Sequence, residues 1–257
     1  MSSLPPSLED YPQYENPPLL LGQLDDSGER KKKTTIEILR ITKSQAEHLR
    51  KKANDDKPMA RGLTTYETIC GHMWISACKA RGLKMEQPTS LSVVVDSRTR
   101  LKPQLAREYF GNGTFDVIAQ SVVGDLLSNP LGFAANKVRE TIQKVTNEYI
   151  RGGIEFLKHL KDLTKFQDIH KDGPPFVGNP NLEIISWLSL PIPGLDFGLG
   201  KMKHMGLVSD HSLLDGNCML LPSLEEDGSI VVTVCLQEAH MNAFKRHFYE
   251  DIKKIDV

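Results

Sequence analysis

Thr64–Val95 reads TTYETICGHMWISACKARGLKMEQPTSLSVVV, and a change of period inside it decides the fold class. Thr64 followed three residues later by Glu67 is a capping-box pattern. Tyr66, Cys70, Met73, Trp74, Ala77 and Cys78 then recur on one face at helical spacing, which predicts a helix to about Arg81. From Thr89 to Val95 the run is short and β-branched, as in a strand.

The same alternation extends in both directions. Upstream, Thr34–Ile41 reads as a strand, and Thr42 with Gln45 opens a helix through about Lys52. Downstream, the turn-like stretch Asp96–Asn112 leads to predicted helices near Thr114–Leu127 and Leu131–Leu160. Asn181–Leu190 and Gly228–Leu236 read as buried strands separated by a glycine-rich segment, and Glu238–Ile252 closes as a helix. Strands interleaved with helices predict an α/β domain. Residues 1–33 hold five of the fifteen prolines, two glycines and the run Glu29-Arg30-Lys31-Lys32-Lys33, which reads as a linker or crossover.

The 257 residues carry 32 Lys+Arg against 33 Asp+Glu, with 39% hydrophobic residues, which excludes disorder, collagen and coiled coil. A net charge of −1 supplies no broad positive field for nucleic acid or an anionic membrane, so Lys31-Lys32-Lys33 reads as solvated surface. No apolar stretch approaches the ~20 residues that span a bilayer, and MSSLPPSLEDYP lacks the pattern of a signal peptide, so the expectation is a cytosolic protein. Cys70, Cys78, Cys218 and Cys235 show no metal-ligand spacing and read as packing residues, with no metal implied.

Two local patterns could carry chemistry. Asp196-Phe197-Gly198-Leu199-Gly200-Lys201 has alternate glycines beside an apolar strand; it lacks the length of a nucleotide loop and a following amphipathic helix, and reads as a structural turn. His211-Ser212-Leu213-Leu214-Asp215-Gly216 sets out a histidine and a carboxylate able to act as base and orienting group, but on a surface loop the two need not meet. His72, on the Trp74 helix, reads as a packed or capping histidine.

Asp196–Gly200 resembles the D-F-G-W-G signature of the plant BAHD acyl-CoA-dependent acyltransferases. Glu67–Arg81 resembles that family's E-x-x-x-x-H-x-W helix, Val95–Arg100 its V-D-x-R-x-R turn and Tyr109–Asn112 its Y-F-G-N. Cys235–Ile252 is similar to its C-terminal strand and helix. Glu29–Thr35, Asn181–Ser189 and Phe248–Ile252 are most similar to the spermidine hydroxycinnamoyl transferase branch. Family members that use shikimate resemble S-W-x-R where this chain has Ser186-Trp187-Leu188-Ser189. Without that Arg to pair with a carboxylate, an amine or neutral alcohol acceptor is expected.

The resemblance implies a chloramphenicol-acetyltransferase-like lobe, a mixed sheet with flanking helices, within a fold of two such lobes around a solvent channel. Residues 34–180 and 204–257 would form the second lobe; 181–203 would cross to the first lobe, which is otherwise largely missing, leaving its strand with few neighbours. The implied activity is transfer of an acyl group, a hydroxycinnamoyl group foremost, from a CoA thioester to spermidine or an alcohol in plant phenylpropanoid metabolism. Acyl-CoA would be a cosubstrate with no permanently bound cofactor, and the full-length family is monomeric.

The family's catalytic H-x-x-x-D-G lies upstream of the matched region, so the chain resembles the C-terminal part of a full enzyme, truncated and catalytically impaired. His211 and Asp215 match it by letter but fall after the D-F-G-x-G loop, as a decoy. Leu199 replaces a Trp whose indole N–H would stabilise the tetrahedral oxyanion. Asp196 is implied in a structural ion pair, with Arg98 or Arg100 as candidate partner. Ser186, Trp187 and Ser189 would line the acceptor channel. Lys201 and the helix start at Thr64-Thr65 are candidates for the CoA phosphates, or an ordinary surface lysine and cap. The alternative function is a non-catalytic remnant that binds acyl-CoA or a full-length relative.

Overall fold

The computed structural model describes residues 27–55, 61–106, 108–159, 178–192, 194–203, 205, 214–250 and 252. A short helix α1 (Ser27–Arg30) leads into β1 (Thr34–Ile41), α2 (Lys43–Asp55) and α3 (Thr65–Arg81). Next come β2 (Pro88–Asp96), β3 (Thr114–Val122), α4 (Val123–Ser128), α5 (Leu131–Gln143) and α6 (Asn147–His159). The chain continues with β4 (Leu182–Ser186), β5 (Asn217–Pro222), β6 (Ile230–Gln237) and α7 (Glu238–Glu250).

The strands form one mixed sheet in the order β1-β6-β5-β4-β2-β3. β2, β4 and β5 are mutually parallel in the middle, while β6, β1 and β3 pair antiparallel toward the edges. Side chains alternate across each strand. Leu39, Val232, Leu220, Ile184, Val93 and Val117 therefore share one buried face, where they join the residues of α2, α3, α5 and α7 in a single core.

α3 runs through that core, and its sequence explains how. Thr64 Oγ1 accepts from the Glu67 backbone N–H while Glu67 returns a bond to the Thr64 N–H, the reciprocal cap expected from the spacing. Gly82 ends the helix in the left-handed region at φ 60°. Trp74 is completely buried, and its indole N–H donates to Thr89 Oγ1 at 3.0 Å; that hydroxyl in turn donates to Pro180 O, tying helix, β2 and the approach to β4 together. Gly71 lets α5 come close, since a Cβ there would stand 2.7 Å from the Ala135 nitrogen. His72 is buried as a packing residue, with Nε2 2.8 Å from Phe248 O.

Several elements differ from expectation. Thr114–Val122 is a strand, not a helix: Val117 and Ala119 alternate into the core, and all nine residues pair with β2. The helix predicted over Leu131–Leu160 breaks into α5 and α6, and Arg100 donates to the Ile142 and Val145 carbonyls at the break. β5 lies inside the expected glycine-rich connection; its run Asn217–Leu221 is buried on both faces, as for a central parallel strand. The strand within 181–203 is not an exposed edge either. β4 is paired on both sides, with Leu182 and Ile184 wholly buried, because β2 and β5 supply the neighbours it was expected to lack. The four cysteines are buried packing thiols.

Candidate functional site

Because β2, β4 and β5 run parallel, their C-terminal ends gather the loops that follow them, and crevices at such ends bind ligands in open α/β sheets. The Trp187 N–H donates to Leu220 O at 2.8 Å, extending the ladder between β4 and β5 by one residue. Ser186 and Trp187 are half-buried at this end, and Ser189 is exposed on the turn that follows.

Farther along the loop, Asp196 Oδ1 accepts from the backbone N–H groups of Gly198 at 2.7 Å and Gly200 at 3.1 Å. Both glycines have positive φ, 86° and 95°, which lets two N–H groups converge on one carboxylate oxygen. Phe197 and Leu199 consequently point outward at 86% and 96% exposure. Asp196 thus holds its own turn, and the arginines expected to pair with it bond elsewhere: Arg98 donates to Asp96 and the Gly111 carbonyl, while Arg100 is engaged at the α5 break. Both arginines fasten the turn after β2. Leu199 presents only hydrocarbon, so it supplies no hydrogen bond to an oxyanion.

The two candidate CoA contacts have partners already. Lys201 Nζ meets Glu226 Oε1 at 3.1 Å on the surface, and the Thr64 hydroxyl accepts the capping bond, with Thr65 beginning α3. The cap is reinforced by Arg139, which donates to Glu67 and to the carbonyls of Arg61 and Gly62.

Asp215 is not on a surface loop. It precedes β5, whereas Asp196 follows β4, and because those strands are parallel the two carboxylates lie at opposite ends of the sheet. Asp215 Oδ1 accepts from Arg81 at 3.0 Å and from the Gln237 N–H at 3.2 Å, and its Oδ2 accepts from the Asn179 N–H at 2.8 Å. Those bonds fasten α3, β5, β6 and the turn before β4. His211 lies outside the described residues.

Sequence reasoning passed over Arg81, Asn181 and Glu183. Asn181 Oδ1 accepts from the Ser90 N–H and its carbonyl accepts from Arg81, a role no local pattern announces. Burial pushes the thiols of Cys70 and Cys78 up to about 12 and about 11, so neither supplies a thiolate near neutral pH. Among the described residues no group of three His, Cys, Asp or Glu could hold a metal ion.

The Transferase family model matches residues 2–251. The hydroxycinnamoyl-CoA:piscidic acid hydroxycinnamoyltransferase of Actaea racemosa is 40% identical over 252 residues, covering 95% of this chain and 56% of that protein. Shikimate O-hydroxycinnamoyltransferase of Nicotiana tabacum is 34% identical over 240 residues, covering 93% of this chain and 54% of its own length. The chain spans about half the length of the curated relatives it matches. Among solved structures, F. graminearum TRI101 complexed with coenzyme A and deoxynivalenol superposes with a TM-score of 0.73 at 18% identity, over 90% of this chain and 52% of that one. The expected mixed sheet with flanking helices, of the chloramphenicol-acetyltransferase type, is the fold observed.

Proposed function

The chain belongs to the Transferase family, and on that premise we propose that it is the part of an acyl-CoA-dependent acyltransferase that carries the D-F-G-x-G loop and one wall of the acceptor channel. The reaction is attack of an acceptor nitrogen or oxygen on the thioester carbonyl, collapse of the tetrahedral intermediate and departure of CoA as a thiol. The acyl group is hydroxycinnamoyl, a reading supported by the two relatives whose names specify that transfer. This reading places the protein in the cytosol as a monomer with no permanently bound cofactor.

The acceptor is an amine, a polyamine foremost, or a neutral alcohol. Support comes from Ser189, which stands where an arginine would pair with an acceptor carboxylate. Ser186, Trp187 and Ser189 line the acceptor path in this reading, and Lys201 with the α3 start faces CoA. The loop after β4 reaches toward the lobe contributed by the remaining half of the relatives' length, while residues 1–26 of the expected crossover lie outside the described residues. That half also brings the histidine that removes the acceptor's proton.

The observation that carries the reading is the two relatives at 40% and 34% identity, each matched across more than nine-tenths of this chain. Leu199, exposed and without a donor, favours a second reading, a non-catalytic chain that binds acyl-CoA or a full-length relative. Thiol release from p-coumaroyl-CoA separates the two when measured for this chain alone and joined to a relative's N-terminal half, with spermidine, an alcohol or shikimate as acceptor. Turnover in the joined protein supports the first reading; CoA binding without turnover in either protein supports the second.

A further inference from the structure

Glu183 stands in β4 on the sheet face away from the helices, the face shared by Ile185 and by Asn217 of β5, and it is only partly buried. Its Oε2 accepts from Asn217 Nδ2 at 2.6 Å, while the Asn217 amide oxygen is taken by the Leu214 N–H. On the other side Ser92 of β2 lies opposite Glu183 in the parallel register. Ser92 is 1% exposed, and its hydroxyl has no hydrogen-bond partner among the described residues. Asp116, one strand farther on β3, falls on the same face through its pairing with Val94.

Two carboxylates and a buried, unpartnered hydroxyl on one half-open face form an incomplete site. Among the described residues no lysine, arginine or histidine pairs with Glu183, and burial, then the charge of Asp116, push its carboxyl up to about 7. A compact ammonium would complete the arrangement. It has three N–H donors and one positive charge, enough for the Glu183 carboxylate and the Ser92 oxygen, with a charge-assisted bond to the first. A divalent metal fits less well, since it needs several anionic ligands around one point and one Glu183 oxygen is already held by an amide N–H.

We propose that Glu183, with Ser92 across the strand and Asp116 beyond it, is the subsite that binds protonated amines of the acceptor. Asp116 lies two strand spacings across the sheet from Glu183, ~10 Å, and two residues farther along, so the pair of carboxylates favours a polycation with a nitrogen to spare over a single charge. Ile185 and Trp187 continue the same side of the chain from Glu183 toward the C-terminal end of β4. An amine anchored at Glu183 therefore extends its free end toward the loops where the acyl group would arrive. The site stands on this chain's own residues, and its role as an acceptor subsite rests on the acyl-transfer reading.

The test is calorimetric titration of the chain at pH 8 with spermidine, and with 1,8-octanediol as a neutral chain of similar length. The parent should bind spermidine saturably and the diol not at all. Glu183→Gln, which keeps an oxygen for Asn217, should weaken spermidine at least tenfold with no loss of thermal midpoint. Asp116→Asn should weaken it less, and Glu226→Gln on the surface should leave it unchanged. Equal affinity for the parent and Glu183→Gln, equal binding of the diol, or no saturable binding by the parent would each overturn the subsite. Thiol release with an alcohol acceptor but no spermidine binding would sink the subsite and leave the acyl-transfer reading standing. Spermidine binding lost in Glu183→Gln, without turnover on any acceptor by the joined protein, would do the reverse.

Discussion

Arg81 at the end of α3 donates to Asp215 Oδ1 at 3.0 Å across 134 residues of sequence, and its side chain is wholly inaccessible to water. The carboxylate also receives two backbone N–H groups, so one ion pair joins a helix, two strands and a turn. Replacing Asp215 by Ala leaves a buried guanidinium without its counter-charge, a change that costs about 3 to 5 kcal/mol. Urea unfolding of the two proteins checks this; a loss under about 1 kcal/mol would show that the pair is not a structural tie.

Gly71→Ala should destabilise by about 1 to 3 kcal/mol, because the added methyl meets the α5 backbone rather than a side chain that can swing away. Thermal unfolding measures the loss, and an unchanged midpoint would mean that α3 and α5 separate without cost.

Glu183 sets a pH dependence with a definite sign. Its folded carboxyl is raised from the usual 4.5 to about 7, so between those values the folded state holds more protons than the unfolded one. Stability from this group therefore falls as pH rises from 4.5 to 7, by on the order of 2 to 3 kcal/mol, and levels off above. Glu183→Gln should flatten that slope and gain relative stability at pH 8. Identical stability differences at pH 5 and pH 8 would exclude the effect.

Thr64→Ala removes the helix cap and should cost about 1 kcal/mol, whereas Lys201→Ala breaks only an exposed ion pair and should leave stability unchanged. Their effect on CoA is a separate matter. Calorimetry on a variant combining Lys201→Ala with replacement of Thr64 and Thr65 should show weaker CoA binding, and affinity equal to the parent would remove these residues from the CoA site.

Leu199→Trp places an indole N–H on an exposed loop without disturbing the core. An oxyanion donor acts only on charge that an activated nucleophile has generated, so the substitution should create no efficient enzyme in the chain alone. In the protein joined to a relative's N-terminal half it should raise acyl-CoA consumption, toward the 100- to 1000-fold that such a donor typically supplies. Robust turnover by the unextended Leu199→Trp chain would contradict this.

What the linear order of residues could specify is local. Thr64 with Glu67 and the apolar face from Tyr66 to Cys78 announce α3, because capping bonds and helical spacing reach only three or four residues. Thr34–Ile41 announces β1 for the same reason, and the D-F-G-L-G turn is legible because its bonds span two and four residues. β3 and β5 escaped, since TFDVIAQSV and NCMLLP become strands through the neighbours they pair with. The sheet order and the central place of β4 were equally out of reach, as were the union of Arg81 with Asp215 and the convergence of Glu183, Ser92 and Asn217. Each needs segments far apart in sequence to be packed side by side, and only burial of the shared core holds them there.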